Sequence, residues 1–524
     1  MKTKKNPFWL TLLVLLGSFA SWAQFPNVII SDVESPNETS IFINPKNTNQ
    51  IIAGANMNSC YSSYDGGQTW NRNAMNSNLG VCGDPCLVID TSGYFYFLHL
   101  SCPNAINWLD QIVCQRSIDS GLTWSNGSGM GKNSPKQQDK EWVCVNPKNN
   151  EIYVSWTQFD EYASTLPADK SNIMFSKSSD QGLTWSNAIQ INEVSGDCID
   201  SDSTVEGAVP AAGPGGEIYV AWAGPAGLVF DRSLDGGQTW LDHDIFVSDI
   251  PGGWDYSIPG IYRTNGLPVT CCDLSNGPNR GTIYINWTDE RSNAGTLQDV
   301  DVWMVKSTDK GSTWSAPRRV NDDAPGSQQF FTWMTVDQVT GYIWFVFYDR
   351  RNYPDTRTDV FMAVSKDGGE TFENFKVSQS PFIPNSNVFF GDYTGISAHN
   401  NVVRPIWTRL ENDKLFAYTA IIDPYFKGLP EEPVIPFAIE QIFPNPFSES
   451  TVFSFKLHSP TVISLSVIDI YGNNVASLIE NSLVQPGKYI EEFDPSKYKL
   501  PSGVYYFSLT GNGINKQRKI VYQK

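Results

Sequence analysis

Six near-copies of one short motif are spread along the chain, and nothing else in the sequence constrains the fold as much. The pattern Ser-x-Asp-x-Gly-x-Thr-Trp appears first within "SSYDGGQTW", Ser62 to Trp70. It returns as Ser117 to Trp124, Ser178 to Trp185, Ser233 to Trp240 and Ser307 to Trp314, and a sixth copy, Ser365 to Phe372, ends in Phe. A catalytic centre needs one constellation, whereas evenly spaced copies mark a repeated supersecondary unit. Each copy lies between strand-like runs and suits a tight hairpin. The Asp accepts from turn N–H groups, Gly supplies a positive φ, and the aromatic ring covers the next strand pair. Asp65, Asp119, Asp180, Asp235, Asp309 and Asp367 are therefore read as structural.

The motif resembles the Asp-box, or BNR repeat, of sialidases and related β-propellers, which implies an all-β ring of four-stranded blades. Runs with β-branched and aromatic residues at period two mark second strands at Glu151 to Trp156, Glu217 to Trp222, Thr282 to Trp287, Tyr342 to Phe347 and Val402 to Trp407. The boxes recur at a spacing of about 60 residues, near the length of one blade. After the sixth box three strand-like runs remain, at Tyr393 to Ala398, Val402 to Trp407 and Lys414 to Ile421, without a fourth. "NVIIS", Asn27 to Ser31, is the available donor. The expectation is a seven-bladed β-propeller over residues 24–427, closed by its N-terminal strand. Six blades, the sialidase number, is the alternative.

Lys2, Lys4 and Lys5, an apolar run from Phe8 to Leu16 and Ser21-Trp22-Ala23 have the layout of a secretory signal peptide, residues 1–23. No later stretch is apolar enough to span a bilayer. A Pro-rich, acidic linker, residues 428–441, precedes a small β-sandwich, residues 442–524, that carries "FPNPF", "YGNNV", "PSGVYYFSL" and "RKIVYQK" around alternating strands. This tail resembles the C-terminal sorting domain of type IX secretion cargo in Bacteroidetes-type bacteria. The resemblance implies the type IX machinery as a partner and secretion, or the outer cell surface, as the destination.

Without the three leader lysines the formal charge deepens from −18 to −21, and so acidic a surface repels phosphate backbones and anionic lipid. Nucleic acid is excluded as a partner on that ground. In an exported chain the nine cysteines read first as disulfides, with at least one left over. Five fall between Cys60 and Cys114, which places the expected bridging near the first two repeats. They are not interleaved with His at zinc-ligand spacing.

In a propeller the boxes occupy one face, and ligands usually sit over the axis on the other. The loops of that other face bring Glu38, Asp84, Asp139-Lys140-Glu141, Glu206, Arg263, Gln329 and Asp392-Tyr393 to the starts of first strands. They bring Asp160, Glu161, Asp289-Glu290-Arg291, Asp349-Arg350-Arg351, Tyr353 and Arg409 to the ends of second strands. Glycoside cleavage needs carboxylates about the scissile bond. The sialidase resemblance implies in addition a Tyr activated by a Glu and three Arg clamping a substrate carboxylate. The candidate catalytic groups are Glu206, Asp392, Tyr393 and Asp349. The candidate substrate-binding groups are Arg263, Arg291, Arg350, Asp289 and Glu141. Where sialidases carry Arg-Ile-Pro on the first strand, this chain reads "NETSIFINP", without Arg.

Asp289 with Arg291 and Asp349 with Arg350 also fit repeated loop-bracing ion pairs. No cofactor is required by the sequence, although Asp139, Glu141 and Glu206 suit a structural Ca²⁺ ion. Trp108, Trp254 and Tyr353 are expected as exposed rings able to stack on sugars. Two functions remain open at this point: a carbohydrate-active glycoside hydrolase acting on an extracellular glycan or glycoprotein, and a non-catalytic propeller binding glycan or protein at the cell surface.

Overall fold

Short runs of β-branched and aromatic residues separated by Gly, Asn and Asp turns cannot build long helices, and the chain is almost wholly β. The structure is a computed structural model describing residues 25–104, 108–291, 299–423, 437–457, 461–511 and 514–524. The expected leader and residues 428–436 of the expected linker lie outside the described residues. The chain divides into two compact units, Met1–Phe426 and Lys427–Lys524. Among the described residues no helix is long and apolar enough to cross a membrane.

The larger unit holds seven four-stranded antiparallel sheets among its described residues, in a propeller-like arrangement. Their first strands are Ser40–Ile43, Cys86–Ile89, Gln137–Val145, Glu206–Ala212, Val269–Cys272, Gln329–Val336 and Gly395–His399. These seven pack side by side in chain order, the last against the first, around one cavity of about 380 Å³. The seventh sheet takes its outer strand from the other end of the unit. Asn27–Ser31 pairs antiparallel with Lys414–Ala420, in a register that sets Asn27 opposite Ala420 and Ile29 opposite Tyr418.

Each Asp-box joins the third and fourth strands of one of the first six sheets and repeats one hydrogen-bond set. The Ser that ends the third strand donates to Asp Oδ1 at 2.7–2.9 Å. The box Thr donates its backbone N–H to the same oxygen at 2.9–3.0 Å. Its hydroxyl donates to Oδ2 at 2.5–2.7 Å. The two residues after the Asp are left-handed in every box, so the second is always Gly.

That kink turns one carbonyl, of the residue after the Asp, toward the preceding sheet. There it accepts from Arg404 at Gly66 (2.7 Å), Tyr64 at Ser120 (3.0 Å), Arg116 at Gln181 (3.4 Å), Lys177 at Gly236 (2.6 Å), Arg232 at Lys310 and Lys306 at Gly368 (2.8 Å). Each donor comes from the repeat before the box, from a strand or, for Tyr64, from the box turn itself, and the donor for the first box comes from the seventh sheet. The box aromatics add inter-sheet packing, with Trp240 on Phe175 and Trp314 on Phe230 at ring-centroid distances of 4.9 and 5.0 Å.

The cysteines depart from expectation. One disulfide, Cys82–Cys102, forms among the described residues, while Cys60, Cys86, Cys114, Cys144, Cys198, Cys271 and Cys272 are thiols. Several sit where first strands meet. Cys86 lies against the backbone N–H of Val143, Cys144 against that of Ala212, and the Cys271 thiol donates to the Met334 carbonyl at 3.4 Å. Burial pushes these thiols far above their ordinary range, so they behave as small apolar spacers.

The smaller unit is a three-stranded and a four-stranded antiparallel sheet around one apolar core that includes Phe453, Phe455, Leu465, Phe493 and Phe507.

Loss of one box brace is expected to be measurable. Asp119→Ala should lower stability by about 1 kcal/mol at neutral pH, the low end for lost turn hydrogen bonds because the site is solvent-exposed. The Thr123 and Ser117 bonds hold Asp119 down to about 2 from an ordinary 3.8. Its contribution is thus present above 3.8 and is lost as pH falls through about 2. Urea unfolding should show the gap between variant and parent closing over that interval.

Candidate functional site

The first strands begin with a repeated irregularity that aims side chains at the axis. Glu38, Asp84, Lys140 and Phe331 are left-handed, as is Gly207, and each stands two residues before the point where its strand meets the axial cavity. In the third, fourth and sixth sheets the pairing register slips at this place, between Asp139 and Trp142, Glu206 and Val209, and Phe330 and Trp333. Such bulges re-aim side chains, and left-handed non-Gly residues persist only where their surroundings hold them. Gly391 allows a close backbone approach. A Cβ there would lie 2.6 Å from the Glu38 backbone nitrogen, at a φ of +92°.

Asp392 is the centre of the mouth. Lys140 Nζ reaches its Oδ2 at 2.7 Å, and Arg263 Nε its Oδ1 at 2.7 Å, with a second Arg263 nitrogen on Oδ2. Asn265 donates to the Asp392 carbonyl at 2.9 Å. Lys140 also lies 3.8 Å from Asp84, and Arg263 lies 3.4 Å from Asp200, which accepts from the Tyr162 hydroxyl at 2.7 Å. Asn56 ties Glu38 to Asp84, donating to the first carboxylate and accepting the backbone N–H of the second at 2.7 Å. Glu38, Asp84, Asp139, Lys140, Glu141, Glu206, Asp392 and Tyr393 are all buried.

The acids divide into two states. Burial alone would raise Asp392, but Lys140 and then Arg263 hold it far below the ordinary carboxylate range. Glu206 is raised well above its ordinary value by burial and then by Asp200, Glu141 by burial and then by Asp84, and Glu38 by burial and then by Asp84. Burial pushes Asp139 up to about 7. Among the described residues both oxygens of Glu141 and of Glu206 are buried without a hydrogen-bond partner. Asp392 is thus stabilised in its ionised form between two cations, whereas burial favours the neutral form of Glu38, Glu141 and Glu206. Among the described residues no group of three or more His, Cys, Asp or Glu is disposed to hold a metal ion.

Little space is left between these groups. The cavity lined by Lys140, Trp142, Asn265, Asp392 and Tyr393 measures about 20 Å³, which is room for roughly one water and not for a sugar ring. Tyr393 packs against the adjoining rings of Trp142 and Trp333, with ring centroids 4.8 and 6.1 Å away. Burial, then Asp84 and Glu38, push its hydroxyl well above the ordinary range, which is opposite to what a phenolate nucleophile requires.

Glu206, Glu141, Arg263, Asp392 and Tyr393 thus come together, whereas the remaining candidates do not join them. Asp289 is engaged by Arg291 at 2.6 Å and by the Trp287 indole at 2.7 Å. Asp349 braces Arg351 rather than Arg350, at 2.8 Å, at the equivalent place in the next sheet. Arg350 turns to Thr358 (3.1 Å) and lies over the Phe330 ring at 5.3 Å.

The reachable surface is a strip outside the sealed centre. Trp108 and Tyr162 rings meet edge to face at 5.6 Å, Tyr162 holds Asp200, Arg263 lies 5.1 Å over Phe389, and Phe389 meets Tyr262 at 6.0 Å. Trp108 and Tyr262 are 46% and 60% exposed. Trp254, expected to be exposed, is buried and donates to the Thr204 carbonyl, and the Tyr353 hydroxyl is held by Asp359 at 3.0 Å. Asp200, Tyr162, Tyr262 and Phe389 were not singled out in the sequence, since no repeat marks them.

Residues 441–523 match the family described as "Secretion system C-terminal sorting domain". The smaller unit is a secretion sorting domain. Such a tail directs the chain to secretion or the cell surface through the type IX machinery. No curated protein matches the sequence. Solved structures with a loosely similar fold include a Hadza microbial sialidase, Hz136 (15% identity over 71% of this chain and 73% of that one, TM-score 0.41). A PL25 ulvan lyase bound to -[GlcA(1-4)Rha3S]- is another (14%, 76% and 96%, TM-score 0.47). A third is the NanB sialidase of Streptococcus pneumoniae (10%, 65% and 68%, TM-score 0.41).

Removing one partner of the central pair should be costly. Asp392→Asn leaves Lys140 and Arg263 without their shared counter-charge and should destabilise the larger unit by about 3–5 kcal/mol, read as the shift in denaturant midpoint.

Proposed function

We propose that the larger unit is a seven-bladed propeller, closed by Asn27–Ser31, that binds extracellular carbohydrate on the strip running from Trp108 to Tyr262. The observation that carries this reading is the sealed mouth. Its cavity of about 20 Å³ admits no sugar, and both of its cations are already committed to Asp392. A ligand therefore meets the exposed rings and the Arg263–Asp200 contact instead, where apolar ring faces and polar edges suit a pyranose. Because neither cation is free, a sugar carboxylate has no clamp. The reading favours uncharged glycans over sialic or uronic acids.

Hydrolysis is kept as a second reading for one reason. Burial raises the Glu206 carboxyl well above its ordinary value while Lys140 and Arg263 hold Asp392 below its own, the two directions that acid catalysis with an ionised partner requires. It needs the mouth to open.

A glycan array with the exported protein tests the first reading. Neutral oligosaccharides should bind, sialylated and uronate-rich ones should not, and Trp108→Ala and Tyr262→Ala should each weaken binding by about tenfold. Turnover of any aryl glycoside that is lost in Glu206→Gln would establish the second reading instead. Deleting residues 437–524 should leave the larger unit folded but undelivered to the cell exterior, which fractionation of the producing cells would show.

A further inference from the structure

The fourth sheet carries a further cavity, of about 200 Å³, between its Gly224–Gly227 turn and its outer strand Ile245–Ser248. Its floor is apolar, with Val205, Trp222 and Val229 buried. Its rim is not. Glu193, His243, Asp244 and the largely exposed ring of Phe246 surround the opening.

Glu193 and Asp244 hold one another through the backbone. The Glu193 N–H donates to Asp244 Oδ2 at 3.2 Å, and the Asp244 N–H to Glu193 Oε2 at 2.7 Å. Among the described residues neither carboxylate has an ion-pair partner, unlike Asp289, Asp301, Asp349 and Asp392, each of which faces an Arg or Lys. Asp244 Oδ1 is buried and, among the described residues, has no hydrogen-bond partner. Burial, then Glu193, push Asp244 up to about 7, the expected result of two carboxyl groups sharing a site that lacks a cation.

We propose that this cavity binds an organic ammonium group on an apolar stem, as a lysine side chain or a primary alkylamine carries it. The ammonium sits between Glu193 and Asp244, where it supplies donors to Oδ1 and neutralises the pair. The stem lies on Val205, Val229 and Trp222, and the Phe246 ring closes over the cation. The volume is below that of drug-sized pockets, which restricts the ligand to a single chain of a few carbons.

Calorimetric titration of the full chain with Nα-acetyl-lysine amide and with its uncharged counterpart, Nα-acetyl-norleucine amide, tests this. The lysine derivative should bind at least about tenfold more tightly, and Glu193→Gln and Asp244→Asn should each lose about that factor. Glu193 is exposed, so its variant should unfold at the parent midpoint and keep the result interpretable. Equal affinity for the two probes, no binding of the lysine derivative, or unchanged affinity in the Glu193→Gln protein would overturn the proposal.

Discussion

Each Asp-box gives one backbone carbonyl to the sheet before it, and the order of the larger unit depends on that contact. A four-stranded sheet has two open edges and two faces, and it is stable only when neighbours cover them. Among the described residues the carboxylate of each box aspartate bonds only within its own turn. By holding the Ser hydroxyl, the Thr hydroxyl and the Thr N–H it fixes two left-handed residues, and the first of these presents its carbonyl to Arg404, Tyr64, Arg116, Lys177, Arg232 or Lys306. The same bond therefore recurs from sheet to sheet, and the seventh sheet contributes the donor for the first.

At the opposite ends of the sheets the constraint is electrostatic. Lys140 and Asp392 come from the third and seventh sheets, which are not neighbours in the packing order, so their bond crosses the axis. Two buried charges are costly to desolvate, and attraction repays the cost only when further bonds complete them. Arg263 and Asn265 do that for Asp392. Both cations are engaged by Asp392, and at Glu38, Glu141 and Glu206 burial outweighs the attraction of Lys140, so that the neutral form is favoured there.

What was legible in the sequence follows from repetition. Six boxes, the period-two strands and the "NVIIS" donor state local rules many times over, and Asn27–Ser31 does pair with Lys414–Ala420. The convergence of Glu206, Arg263, Asp392 and Tyr393 followed from assigning loops to faces. Contacts across the axis were not legible, because no spacing relates Lys140 to Asp392 or Arg263 to Phe389. Asp349 illustrates the local limit: its brace is Arg351, two residues on, since a strand ending in a turn brings that side chain back over the carboxylate while Arg350 points to Thr358. The cysteines divide: one bridge, Cys82–Cys102, forms within the stretch expected, and the other seven remain thiols. Compartment suggested disulfides, yet Cys86, Cys144 and Cys271 occupy gaps between first strands where a small apolar side chain is required.

The functional account places recognition on the rim and makes the buried acids part of the frame that holds it. The measurement that tests this most directly is a crystal structure of the exported protein with a bound neutral oligosaccharide. The account requires sugar rings over Trp108 and Tyr262, with Lys140 and Arg263 still on Asp392 and the space beside Glu206 closed. A sugar seated between Glu206 and Asp392, with either cation drawn away from that carboxylate, would contradict it.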